Sequence, residues 1–288
     1  QRVAPYLLPL LLVERPGLVT LVGPGGVGKT RLAVEVALAL EQRLPGGVGW
    51  VELTPVTPGG VGQAVGHALG FDDAVLARDG DDLLDGLARF LSGRRSAVVL
   101  DNCEHLVEEV ASFVADLLDL APGLHVVATS REGLAVEGEV LFPVLPLPLP
   151  AAVALFAERA RSVGVTPADG DLVAEGPIAD ICRRLDSLPL SVELAAARTR
   201  HVGIGEIARR LDRPFDLLTA APRTAVARQR SLRAVIDWSF ALLGDAEREL
   251  FTRLCVFENG FTLAGAEAVD PAAHAAWISS RSRSRCRL

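Results

Sequence analysis

Methionine is absent from the 288 residues, the chain begins at Gln1, and no signal peptide is recognisable. We therefore expect an excerpt or a processed chain. Cysteine is scarce: Cys103, Cys182, Cys255 and Cys286 lie far apart, with no C-x-x-C pair and no histidine at zinc-site spacing. This argues against a disulfide framework and fits a reducing cytoplasm, with all but the tail cysteine expected in the core. Positive charge is not in excess: 29 basic against 36 acidic residues give a net charge of −7, so nothing general attracts the chain to nucleic acid. An uninterrupted apolar run long enough for a membrane is also missing. The stretch Tyr6 to Val13 is short and contains Pro9, and Val140 to Ala157 is broken by Pro143, Pro146, Pro148 and Pro150. What is present is hydrophobic residues at 50% with 23% charged, enough for a globular chain of about two domains.

Lysine occurs once. Of the 29 basic residues, 28 are arginine and one is Lys29, set in the stretch LVTLVGPGGVGKTRLAVEVA from Leu18 to Ala37. Gly23, Gly25, Gly26 and Gly28 permit backbone angles that let successive N–H groups turn inward around an anion at the start of the following helix. Lys29 extends a compact point charge toward outer phosphates, where a planar guanidinium would not fit the same space. Thr30 supplies a hydroxyl for Mg²⁺. The stretch fits G-x-x-x-x-G-K-[ST], with apolar Leu18 to Val22 before it and the helical pattern Leu32, Ala33, Val36, Ala37, Leu40 after it. Gly23, Pro24, Gly25, Gly26, Val27, Gly28, Lys29, Thr30 and Arg31 are the expected nucleotide-binding run.

Short, valine-rich apolar runs at Leu18 to Val22, Val48 to Leu53, Ala97 to Leu100, His125 to Thr129 and Val140 to Val144 read as buried strands, with helical patterns between them, among them Leu106 to Leu120. Strands separated by helices predict an α/β fold: a parallel sheet with helices on both faces, binding its ligand at the carboxyl ends of the strands. Asp101 stands just past one such strand, placed to hold Mg²⁺ directly or through water. Asn102 follows where many vigorous ATPases carry a second acid, so hydrolysis is slow or another residue such as Glu104 serves; surface or capping roles for Glu104 are the alternative. Arg131 emerges after a further strand, either in reach of a γ-phosphate or as an arginine at the sheet rim.

The segments LVTLVGPGGVGKTRLA, VVLDNCEHL, VVATSRE and LDSLPLSVELAAAR together resemble the nucleotide-binding module of the signal-transduction ATPases with numerous domains (STAND), the group that contains the NB-ARC ATPases. The likeness is nearest to large bacterial transcriptional regulators of the LuxR and AfsR/SARP types, and covers about residues 16 to 269. It implies a P-loop NTPase sheet followed by a helical domain and the start of a winged-helix domain. It also implies ATP/ADP and Mg²⁺ as ligands, with Lys29, Asp101 and Arg131 as the catalytic set, Thr30 and Asp101 at the metal, and Pro189 packed against adenine. Ser187 stands where such proteins usually have glycine, and the segment before the phosphate loop is short or replaced.

The domains expected are an N-terminal remnant at 1–15, the nucleotide-binding domain at 16–150, a helical lid at 151–222, a partial winged helix at 223–270 and a basic tail at 271–288. Leu185 to Arg200 and Ile204 to Leu211 read as lid helices. Trp238, Phe240, Leu243, Leu250, Phe251 and Leu254 fall at helical spacing, as core residues do, and Asp245 before Glu247 and Glu249 suits a helix start. The end of the chain alternates arginine and serine from Arg281 to Arg287 with nothing apolar enough to fold, as in a disordered tail or a chain broken off before its effector domain. The function expected is an ATP/ADP-dependent switch with slow hydrolysis. Its sensor and effector partners would lie outside this chain, with nucleotide-dependent self-association compatible with the resemblance, and neither sequence-specific DNA binding nor membrane contact is expected of the segment itself. A kinase or metabolic ATPase, and an ADP-holding scaffold without turnover, are the competing classes.

Overall fold

The computed structural model describes residues 17–71, 83–211, 240, 244–257 and 262–269. The segment 1–15, the tail 271–288 with Cys286, and Trp238 and Leu243 lie outside the described residues. The described residues fall into two units. One joins Lys29–Val144 to the strand before the glycine turn, and the other joins the turn Pro24–Gly28 to the chain from Leu145 onward.

The first unit is a five-stranded, all-parallel sheet with helices in the crossovers. Its elements are β1 (Leu18–Val22), α1 (Lys29–Glu41), β2 (Val48–Glu52), α2 (Val61–Ala68), α3 (Leu83–Leu91), β3 (Ser96–Asp101), α4 (Val107–Leu120), β4 (Leu124–Ser130) and β5 (Val140–Pro143). The spatial order is β2-β3-β4-β1-β5. Leu18 pairs with Val126, Val98 with Val126 and Val19 with Val140, which sets β1 between β4 and β5.

Alternation along the buried strands builds two cores, one on each face of the sheet. Leu18, Val51, Val98, Leu100, Val126 and Ala128 pack against α2, α3 and α4, whereas Val19, Leu21, Val99 and Val127 pack against Ala33, Val36 and Leu40 of α1. Those three α1 side chains recur at helical spacing and are fully buried. Burial of each Val or Leu contributes about 1.5–3 kcal/mol.

The fifth strand departs from the sequence reading. Val140 and Leu141 are exposed by 39% and 41%, because among the described strands β5 lies at the sheet edge beside β1 alone. Pro143, which cannot donate to a ladder, is tolerated at such an edge.

The second unit packs α5 (Leu149–Ser162), α6 (Pro177–Arg184), α7 (Pro189–Arg198) and α8 (Ile204–Arg210) around Phe156, Ile178, Ile181, Val192, Ala195 and Ile207. The single helix read from Leu185 to Arg200 is corrected: α6 stops at Arg184 and α7 starts at Pro189. Between them the Ser187 N–H donates to the Cys182 carbonyl (2.8 Å) and the Asp186 N–H to the Arg183 carbonyl (3.0 Å), the Schellman arrangement that closes a helix. Asp186 and Ser187 take φ of 50° and 52°, the left-handed region that favours glycine. Pro189 then occupies the first helical turn, where its missing N–H costs nothing.

Two further helices are α9 (Asp245–Leu254) and α10 (Leu263–Val269). The acidic start of α9 is as read: Glu247 Oε2 accepts the Gly244 N–H at 2.8 Å. The core reading of its neighbours is not. Phe251 is 47% exposed, with Phe240 edge-on to its ring at 5.8 Å, and Cys255 is exposed. The ten-residue α9, which packs against α10, covers neither. Cys103 and Cys182 are buried as expected.

Candidate functional site

Among the described residues, the buried charged groups of the first unit lie at strand ends. The chain leaves β1 through Gly23 and re-enters regular structure at Lys29, the first residue of α1. Lys29 is only 8% exposed; its ammonium donates to the Gly23 carbonyl at 2.7 Å and lies 3.7 Å from Glu104 Oε1. Burial lowers the Lys29 pKa below the ordinary lysine value of 10.5; the carboxylate of Glu104 opposes the shift and the Arg131 guanidinium adds to it. An anion entering beside this ammonium would restore the solvation that burial removes.

Asp101 closes β3 and is 4% exposed. Its Oδ1 accepts the Thr30 hydroxyl at 2.9 Å and the Thr129 hydroxyl at 2.6 Å, and Thr129 Oγ1 in turn accepts the Asn102 N–H at 2.9 Å. The chain of bonds fixes the carboxylate and joins the end of β3 to the end of β4. A hydroxyl and a carboxylate oxygen in direct contact at the start of a helix are hard donors of the kind Mg²⁺ takes, so Thr30 and Asp101 fit that ion.

Past Asp101 the chain turns sharply. Asn102 sits at φ 69°, which asparagine tolerates better than most residues, and a 3₁₀ turn over Cys103–His105 follows. That turn brings Glu104 back toward the strand ends. Its side chain is 7% exposed and its Oε1 lies within 4.0 Å of Arg131 Nε as well as beside Lys29. Burial also raises the Cys103 thiol pKa well above 9.0, with the carboxylates of Glu104 and Asp101 adding to the effect, so Cys103 is an inert core thiol.

Arg131 follows β4, its side chain 25% exposed. The loop after it is pinned by Glu139, which accepts the Thr20 hydroxyl at 2.5 Å and the Leu134 and Ala135 N–H groups at 2.8 and 2.9 Å.

Lys29, Thr30, Asp101 and Arg131 therefore stand where sequence reasoning sets them, at the carboxyl ends of β1, β3 and β4. Arg31 does not turn toward them: its side chain is 81% exposed and pairs with Glu35 one turn on. Within the second unit, Gly26 and Gly28 adopt φ of 80° and 103°, and the Leu190 N–H donates to the Gly26 carbonyl at 3.2 Å. A Cβ on Gly26 would come 2.9 Å from Leu190 Cβ, and one on Gly28 would touch the Pro189 ring at 4.0 Å. Pro189 thus stands over the glycine turn. Sequence reasoning missed Thr129 and Glu139 as supports. The signal for Thr129 was a hydroxyl residue ending the strand beside that of Asp101; Glu139 lies in a loop with no pattern to mark it.

Comparison with known proteins adds what the chain is similar to. Residues 13–135 match the model of the AAA domain family. A Mycobacterium tuberculosis protein named as an HTH-type transcriptional regulator is 46% identical over 262 residues, 90% of this chain and 29% of its own length. The regulatory protein AfsR of Streptomyces griseus is 30% identical over 182 residues, 61% of this chain and 18% of its own. This chain has a P-loop NTPase fold, with an AAA-type domain matched over residues 13–135. The module spans less than a third of the regulators it matches. Its fold is shared with Cdc6p from Pyrobaculum aerophilum at a TM-score of 0.51 and 13% identity, over 98% of this chain and 80% of that one. The AAA-type match over residues 13–135 implies nucleotide binding there. Among the described residues no helix is long and apolar enough to cross a membrane.

Proposed function

We propose that this module is an ATP/ADP-dependent switch in a bacterial transcriptional regulator of the cytoplasm, with slow hydrolysis, relaying the nucleotide state to sensor and effector domains beyond the chain. The observation that carries this reading is the burial of Lys29, the chain's single lysine, beside the Thr30–Asp101 pair at the carboxyl ends of a parallel sheet. A buried ammonium beside paired oxygen donors is an arrangement with little structural benefit and a direct use in holding phosphate.

In this reading the N–H groups of Gly23 to Thr30 cradle the phosphates and Lys29 neutralises the outer ones. Thr30 and Asp101 hold Mg²⁺, which when bound offsets charge on the phosphate oxygens. Pro189 packs against the adenine. Arg131 contacts the terminal phosphate, a charge-assisted bond available with ATP and lost with ADP. A ligand shifts a conformational equilibrium only by differential affinity, so Arg131 is the group through which ATP and ADP would favour different states. The names of the relatives support the regulatory setting, while the net charge of −7 argues against DNA reading by this segment itself.

Extraction of nucleotide from the purified chain, followed by exchange against labelled ATP and ADP, tests the reading. Copurified ADP that exchanges for ATP in Mg²⁺ is expected. ADP that never exchanges would make the module a static scaffold, and an absence of nucleotide affinity would overturn the switch altogether.

A further inference from the structure

The residue after Asp101 cannot activate water. Asn102 carries a neutral amide, and its backbone is held in the left-handed region by the bond to Thr129. Asp101 has its Oδ1 committed to two hydroxyls, and Glu139 serves the loop after β4. Glu104 is different. The 3₁₀ turn returns its carboxylate to the strand ends, where one oxygen, Oε1, faces both Lys29 at 3.7 Å and Arg131 at 4.0 Å. The other oxygen, Oε2, is fully buried and, among the described residues, accepts a hydrogen bond from no group. Buried acceptors are rarely left so unless a ligand or the water it brings completes them.

On the proposed function, Lys29 and Arg131 are the cations that take the outer phosphate oxygens. A carboxylate within reach of both lies beside the terminal phosphate, and cannot touch it directly without like-charge repulsion. A water between them resolves the conflict, donating to Glu104 Oε2 and presenting its oxygen to phosphorus. We propose that Glu104 is the water-activating carboxylate of this module, doing from three residues along the chain what an acid immediately after Asp101 would do. The inference rests on the nucleotide-binding reading above. In the step, the water oxygen bonds to the terminal phosphorus as the bond from that phosphorus to the bridging oxygen breaks, its electron pair leaving with ADP. The water's proton passes to Glu104 Oε2 and then to the released phosphate. Such a base contributes typically 10²- to 10⁴-fold to rate.

The test uses the full chain and its Glu104→Gln and Glu104→Asp variants, measuring ATP and ADP affinity, single-turnover hydrolysis and the nucleotide that copurifies. Glu104→Gln should bind ATP as tightly as the parent or more so, lose hydrolysis by about a hundredfold or more, and copurify with ATP in place of ADP. Glu104→Asp, with the carboxylate kept but withdrawn by one methylene, should fall between. Hydrolysis by Glu104→Gln within about threefold of the parent would overturn the proposal, with tighter ATP binding then marking Glu104 as a counter-ion for Lys29 and Arg131. Loss of ADP and ATP binding together would overturn it in favour of a purely structural role. A parent chain that binds ATP without turnover would overturn it too while leaving the nucleotide-binding reading intact, whereas a parent chain that binds neither nucleotide removes both.

Discussion

The two units keep different things inside. The α/β unit buries Lys29, Asp101, Asn102, His125 and four hydroxyl side chains along with its aliphatic core. Among the described residues, the helical unit buries Ser191 and Thr199 and otherwise only apolar groups, with Phe156, Ile178 and Ile181 at its centre. Buried charge is expensive unless it is paired, and here it is confined to the ends of three adjacent strands. One interior is tuned to hold a ligand and the other to hold itself together.

The largest effect should come from breaking the apolar interior. Phe156→Ala removes a fully buried ring from the helical core and should destabilise by about 3–5 kcal/mol, read from denaturant unfolding. A loss below about 1 kcal/mol would mean that this core is loosely packed.

Lys29→Ala attacks the other interior and should behave in the opposite way. Nucleotide affinity should fall by about 1.5–3 kcal/mol, tenfold to more than a hundredfold, while the unfolding midpoint stays or rises because a desolvated ammonium has been removed. Lys29→Arg should rescue poorly. The lowered Lys29 pKa sharpens the point. Between that value and 10.5 the unfolded chain holds a proton that the folded chain has lost, so this group's contribution to stability rises with pH. Nucleotide binding needs the ammonium and should weaken across the same window. Both slopes should vanish in Lys29→Ala, and calorimetric titrations from pH 7 upward would register their persistence as a failure of the assignment.

Arg131→Ala is subtler. Only ATP offers a terminal phosphate, and the guanidinium is partly solvated, so ATP affinity should drop by about 1 kcal/mol with ADP affinity nearly unchanged. Equal loss for both nucleotides would make Arg131 a rim residue.

The smallest expected change is a gain. Ser187→Gly relieves a left-handed serine, worth about 1–2 kcal/mol, against the extra freedom of glycine in the unfolded chain, leaving a net stabilisation of roughly 0.5–1 kcal/mol. A fall in melting temperature would show that the Ser187 hydroxyl, 3.5 Å from the Cys182 carbonyl, matters more than its backbone strain.

Much of the α/β unit was legible because its signals are local. The run Leu18 to Val22 is read as a strand from its apolar residues alone, and β1 has those same ends. The glycines and Lys29 mark by spacing the turn between β1 and α1. What stayed hidden depends on neighbours. Nothing in Val140 to Pro143 says that one side of the strand is open, because exposure is set by sheet order. The break between α6 and α7 was masked by leucines at 185, 188 and 190 that fit a continuous helical stripe; the Schellman bonds decide it. Glu104 was visible as an acid near Asp101, but its approach to Lys29 and Arg131 follows from a turn whose sharpness rests on Asn102.

The position of β1 also fixes when the turn after it can be held in place. Its partners are β4 and β5, both more than about a hundred residues further along the chain, whereas β2 and β3 are closer neighbours in sequence and can pair without it. Contacts so distant in sequence form late and slowly, and during synthesis they wait until Pro143 has left the ribosome. The nascent chain thus carries its glycine loop and lysine for most of the unit's synthesis with no sheet to hold them, and the end of β1 with Lys29 is set in place in one late event rather than by degrees.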